Sequence, residues 1–160
     1  MNAPTVEAFR AAAEAFCLIA QGKEPLDHRD LYRLRELLLQ LIFHVTAVEN
    51  HPHDRQREGK PLRDDAFGQA VERFSHFPFN LYRVVFDPHD FEADDEPVTG
   101  MLSDDLADIY RDLAPGLDNA RSGHLDDACF DWSESYRCHW SHHAVNALKA
   151  IESFRMDHEP

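Results

Sequence analysis

The chain is short of positive charge: sixteen Lys and Arg stand against thirty Asp and Glu, a formal net charge of -14. That balance repels phosphate backbones and anionic lipid, so neither nucleic-acid nor membrane-surface binding is expected; mimicry of a nucleic acid stays open as an alternative. Long apolar runs are missing as well. The first residues, Met1-Asn2-Ala3-Pro4-Thr5-Val6-Glu7, carry no basic region followed by an apolar stretch, so no membrane span and no secretion signal is expected. Cysteine is sparse: Cys17, Cys129 and Cys138 make no CxxC pair and are odd in number, which suits a reducing compartment and predicts a cytoplasmic location. There is no internal repeat, low-complexity tract, nucleophile elbow, phosphate loop or HExxH, and those chemistries are not expected.

What remains is a chain of 160 residues with helical patterning. A single domain of that size buries about 70% of its unfolded surface and needs no metal or disulfide to fold. Val6, Phe9, Ala13, Phe16 and Ala20 recur at three and four, predicting a first helix that Gly22 and Pro25 terminate. Asp27 is the expected cap of a second, whose stripe of Leu31, Leu34, Leu38, Leu41, Val45 and Val48 is widened by Leu37, Leu39, Ile42 and Phe43; that width predicts the central member of the bundle. His51-Pro52-His53 ends it, and the polar run 54–60 reads as a loop. Leu62, Ala66, Phe67, Ala70, Val71 and Phe74 form the buried side of a third helix. Residues 81–86 are compatible with a helical turn or a short extended piece, and an acidic loop follows from Asp87-Pro88.

Ser103 is the expected N-cap of a fourth helix buried through Leu102, Leu106, Ile109, Tyr110 and Leu113, with Pro115-Gly116 bending or ending it. Beyond Gly123, residues 125–154 predict one long final helix; on a wheel zeroed at Trp140, Leu125, Cys129, Trp132, Tyr136, Ala144, Ala147, Leu148, Ile151 and Phe154 fall within about 80°. The fold class is thus an all-α, single-domain bundle of five helices with a long acidic loop between the third and fourth.

Three segments together resemble a known family: Glu96-Pro97-Val98-Thr99-Gly100-Met101-Leu102-Ser103-Asp104-Asp105-Leu106-Ala107-Asp108-Ile109-Tyr110-Arg111-Asp112-Leu113, then Tyr82-Arg83-Val84-Val85-Phe86-Asp87-Pro88, and His139-Trp140-Ser141-His142-His143-Ala144-Val145-Asn146-Ala147-Leu148. They are similar to the bacterial family catalogued as domain of unknown function 5063, over roughly residues 81–151, with the first eighty residues matching in helical character. The resemblance implies a small, soluble, all-helical protein and supplies no established catalytic residues. Ser141 stands where the family's Trp-Gly pair has glycine, which speaks against a close backbone approach there.

The candidate binding residues lie on the last two predicted helices. Asp105, Asp108 and Asp112, at spacings of three and four, share one edge of the fourth helix and are either a solvated acidic face or a site. His139, His143 and Asn146 line one flank of the fifth, and an i, i+4 histidine pair chelates a metal or is simply hydrogen-bonded at the core's rim. If the two helices are antiparallel neighbours, these residues face one another across a groove, with Tyr110 or Tyr136 close by, that suits a divalent cation or a cationic side chain. Magnesium or manganese would match the carboxylates; zinc, nickel or iron would match recruited histidines. Asp131-x-x-Glu134 with Asp105-x-x-Asp108 resembles the paired acidic motifs of helical nucleotide pyrophosphohydrolases, but the wheel puts Asp131 and Glu134 on the solvent side. Cys138 and His142 are expected on the exposed face, and Phe74, Phe77, Phe79, Tyr82 and Phe86 are core, lid or partner-binding patch.

With no catalytic set in view, the first functional expectation is a non-enzymatic interaction module, an adaptor or immunity-type inhibitor with no cofactor, whose acidic surface engages a basic protein partner. The second is a metal-binding protein or metal-dependent hydrolase built on the Asp/His groove.

Overall fold

The computed structural model describes residues 3–52, 55–85, 87–92 and 96–158. His53, Asp54, Phe86 and the stretch 93–95 of the acidic loop lie outside the described residues. The elements run α1 Val6–Gln21, α2 His28–Glu49, α3 Asp64–Phe74, β1 Leu81–Val84, β2 Val98–Met101, α4 Leu102–Arg121, α5 Leu125–Ser135, a π-helical turn Tyr136–Trp140, and α6 Ser141–His158. The helical expectation holds. Two details of it are corrected: the segment around the acidic loop is an antiparallel hairpin, so the fold is not purely α, and the predicted final helix is a rod in three pieces.

Local chemistry sets the boundaries. Thr5 Oγ1 accepts the Ala8 amide at the start of α1, and Asp27 closes a full capping box with Asp30 at the start of α2. The start of α4 differs from expectation, since Ser103 is its second residue and not its cap. Asn80 performs the capping from across the hairpin, its carbonyl accepting the Leu102 amide at 2.7 Å and its side-chain oxygen the Ser103 amide at 2.8 Å. The Ser103 hydroxyl is buried without a hydrogen-bond partner among the described residues.

Pro115 and Gly116 do not end α4, which continues to Arg121 and stops where Gly123 takes a φ of 84°. At Gly116 the Trp132 indole lies against the helix backbone, and Trp132 Nε1 donates to the Leu113 carbonyl at 3.1 Å. The close approach there requires a residue without a side chain.

The core joins all the helices, with Trp132 and Trp140 fully buried and Phe9 packed on both, its ring centroid 5.1 Å and 6.2 Å from theirs. Its central member is α4 and not α2: α4 packs against α1, α3, α5 and α6, whereas the widened stripe of α2 leaves Leu39 and Phe43 exposed. Ala107, Gly116 and Ala120 make α4 slender enough to be surrounded. Of the aromatic cluster, Phe74 and Phe77 belong to the core, and Phe79 stacks on Phe154 at 4.8 Å.

The π turn overturns the wheel reading of Asp131. Bonding from i to i+5 inserts one extra residue into a turn, which offsets everything upstream of Tyr136 by about 100° relative to Trp140. Asp131 is accordingly buried, as is Asp127 on the neighbouring edge. The segment 55–60, expected as a plain loop, lies across them. Asp127 accepts the Gln56 and Arg57 amides at 2.7 and 2.8 Å; Asp131 accepts Asn119 Nδ2 at 2.8 Å and the Gly59 amide at 3.3 Å. Burial raises the Asp131 carboxyl above its usual range, and the two backbone amides lower that of Asp127. These bonds make Asp131 part of a structural clasp, while Glu134, Cys138 and His142 are exposed as expected.

Candidate metal centre on the fourth and sixth helices

The cluster lies between α4 and α6, which pack together, with the π turn supplying one of its two imidazoles. Asp105, Asp108 and Asp112 point from one edge of α4 toward His139, the fourth residue of the π turn, and His143 in the first turn of α6. The acidic strip is not a solvated face: the side chains of Asp105 and Asp108 are each only 9% exposed, against 41% for His139.

Each imidazole is held by a carboxylate on its Nδ1. His143 Nδ1 lies 2.8 Å from Asp105 Oδ1, and His139 Nδ1 lies 2.7 Å from Asp112 Oδ2. An ionised carboxylate only accepts, so Nδ1 carries the hydrogen on both rings and Nε2 of a neutral ring presents its lone pair. The two Nε2 atoms face each other at 3.3 Å, and Asp108 Oδ2 is 3.6 Å from that of His143. Asp108, His139 and His143 each offer one ligand atom, all within 4.8 Å of one another.

Two further residues complete the surroundings. The Tyr82 hydroxyl, from β1, donates to the second oxygen of Asp105, and Arg111 pairs with the second oxygen of Asp108 while its guanidinium lies 4.6 Å over the Phe67 ring. Neither is expected at this cluster from the sequence, where Tyr82 is grouped with the aromatic residues of a core, lid or partner-binding patch. Arg111 had a local signal, three residues after Asp108 on the same helical face; Tyr82 had none, because the hairpin's position over α4 is a tertiary fact. The tyrosines expected nearby lie elsewhere: Tyr110 bonds to Gln21 at 3.0 Å and Tyr136 packs on Trp140. Asn146 also departs, lining the groove between β1 and α6 instead of joining the Asp/His cluster.

The electrostatics favour a cation. The Asp105 hydrogen bond is the largest influence on His143 and raises its pKa against the opposing effect of burial, with the fields of Asp108, Asp105 and Asp104 adding to it. Burial raises the Asp112 carboxyl, only partly offset by the His139 hydrogen bond. Burial, then the Asp105 bond and charge, push the Tyr82 phenol far up, so it remains a donor.

Fold and site together define a helical protein with a carboxylate-supported histidine pair. The family described as a domain of unknown function (DUF5063) matches residues 2–157, and the chain belongs to it. No curated protein matches the chain. Among solved structures it is similar to the crystal structure of protein BF1032 from Bacteroides fragilis, at 16% identity and a TM-score of 0.67, over 97% of this chain and 93% of that one. At that identity the likeness speaks for the fold alone. No helix among the described residues is long and apolar enough to cross a membrane.

Proposed function

We propose that the protein binds a divalent first-row transition-metal ion through Asp108, His139 and His143. The observation that carries this reading is the pair of Nε2 atoms facing each other at 3.3 Å with both Nδ1 atoms committed to carboxylates. Two neutral rings so placed direct lone pairs at one another, which is unfavourable unless a proton or a metal lies between them. With metal–nitrogen distances of about 2.0–2.1 Å and ligand angles between about 90° and 110°, the nitrogens of two imidazoles on one ion sit roughly 2.8–3.4 Å apart. Asp105 and Asp112 would then be the outer carboxylates that orient ligating histidines and raise their basicity. Arg111, by holding one oxygen of Asp108, favours a single-oxygen contact from that residue.

Two histidines and one carboxylate leave coordination positions open, and the imidazoles favour iron, nickel, copper or zinc over magnesium. When bound, such an ion supplies a Lewis acid and a water of lowered pKa, suited to hydrolysis or to an exchangeable ligand. The chain's contribution is to hold the imidazoles in one tautomer and to neutralise the cation's charge.

The deciding experiment treats the protein with a chelator and then follows thermal unfolding with magnesium, manganese, nickel or zinc. At a free-ion concentration a hundredfold above Kd, binding to the folded state adds about 2.7 kcal/mol. Zinc or nickel should raise the midpoint of the parent protein and leave a His139→Ala, His143→Ala variant unmoved, with magnesium ineffective on both. An equal response of parent and variant, or none, overturns the reading. A second reading, an acidic surface engaging a basic protein, is supported by the net charge of -14; it predicts salt-sensitive partner capture that survives the histidine substitutions.

A further inference from the structure

Each strand of the hairpin has an inner edge paired with the other and an outer edge, and the outer edge of β1 is the one that borders α6. Its register sets Leu81 opposite Met101, Tyr82 opposite Gly100, Arg83 opposite Thr99 and Val84 opposite Val98, and the Leu102 amide bonds to the Asn80 carbonyl. Hydrogen-bonded pairs alternate along an antiparallel ladder, so Asn80, Tyr82 and Val84 direct their amides and carbonyls toward β2. Those of Leu81 and Arg83 point the other way, and no hydrogen bond meets them among the described residues.

That open side looks into a groove of about 640 Å³ between β1 and α6. Its apolar lining is unusually bare for a folded chain, with Leu81 64% and Val145 56% exposed. Its charge also runs against the rest of the molecule. Asp157 is the one carboxylate among the described lining residues, whereas Arg83 and Lys149 both line the groove and neither makes an ion pair among those residues. Asn146 adds an amide able to both donate and accept.

The geometry points to this groove as the binding site for an extended segment of a partner protein, added to β1 as a third strand and carrying an apolar and an acidic side chain two residues apart, on the one face that Leu81 and Arg83 share. The outward amides and carbonyls of Leu81 and Arg83 pair with the segment's backbone, an apolar side chain of the segment meets Leu81 and Val145, and a carboxylate two residues along on the same face meets Arg83 and Lys149. An uncovered strand edge of this kind otherwise invites uncontrolled pairing. The site is separate from the Asp/His cluster and does not depend on metal.

Selection from a library of phage-displayed random dodecapeptides on the immobilised protein tests it. Enriched peptides should carry an apolar and an acidic residue at positions i and i+2, and binding of a synthetic copy should weaken at least about tenfold in an Arg83→Glu, Lys149→Glu variant with unchanged circular dichroism. N-methylation of the bound peptide at alternate residues distinguishes strand addition from other modes: methyl groups on the amides facing β1 should abolish binding, and those on the intervening residues should be tolerated. No enrichment, enrichment of basic peptides, equal binding by the charge-reversed variant, or an equal effect of methylation at every position overturns the proposal.

Discussion

At the scale of residues, the protonation of one imidazole carries testable consequences. The raised pKa of His143 means that the folded chain holds a proton the unfolded chain releases above about pH 6.5. The stability supplied by its bond to Asp105 is therefore complete below that pH and is lost as pH rises through the folded pKa. Asp112, raised by burial, acts in the same direction at lower pH, because the folded state again retains a proton longer. The metal-free protein should become less stable from pH 6 to pH 8, as followed by urea midpoints, and Asp105→Asn should flatten the profile. Metal affinity should run the opposite way, since an ion needs the deprotonated ring, and calorimetric titration should record tighter binding at pH 8 than at pH 6. In the same titration Asp105→Asn should lower affinity about 10- to 100-fold, the usual consequence of losing an outer carboxylate; an unaltered affinity would mean that Asp105 does not support the ligand ring. Spacing alone put the three aspartates on one edge and the histidines on one flank. Whether those edges face each other depends on the rotation of α6, which packing decides, and for that reason Tyr82 and the departure of Asn146 were not legible.

At the scale of elements, two glycines in helices make opposite predictions. A Cβ on Gly116 would come 2.2 Å from Trp132 Nε1, whereas one on Gly68 of α3 meets nothing within 4 Å. Gly116→Ala should destabilise by about 1–3 kcal/mol through overpacking, despite the better helix propensity of alanine. Gly68→Ala, with only propensity at stake, should stabilise by up to about 1 kcal/mol; thermal midpoints of both variants check the pair. Helix existence and most ends were readable, because apolar periodicity and the Gly22, Asp27 and Gly123 signals are local. The failures all involve a distant partner. Asn80 replaces Ser103 as the cap, Trp132 occupies the gap that Pro115-Gly116 suggested was a break, and the π turn shifts Asp131 by a phase that no uniform wheel contains. That turn also includes His139, so the irregularity that hid the clasp is the one that aims a candidate ligand.

At the scale of the whole molecule, net charge and layering act together. With an excess of fourteen negative charges the folded chain repels itself, and both moderate salt and a bound dication should relieve that repulsion. The surrounded position of α4 has a further consequence for how the protein opens. An amide there exchanges with solvent only when neighbours on several sides separate, so its hydrogens should be among the slowest to exchange, close to the global unfolding limit. The exposed hairpin and the mouth of the groove should exchange by smaller openings; native-state deuterium exchange read by mass spectrometry separates the two. It follows that the carboxylates of the proposed centre ride on the segment that yields last and the imidazoles on a rod with an irregular turn in its middle. An ion held there would leave by movement of the histidines, and its release rate would report the breathing of that rod while α4 remained shut.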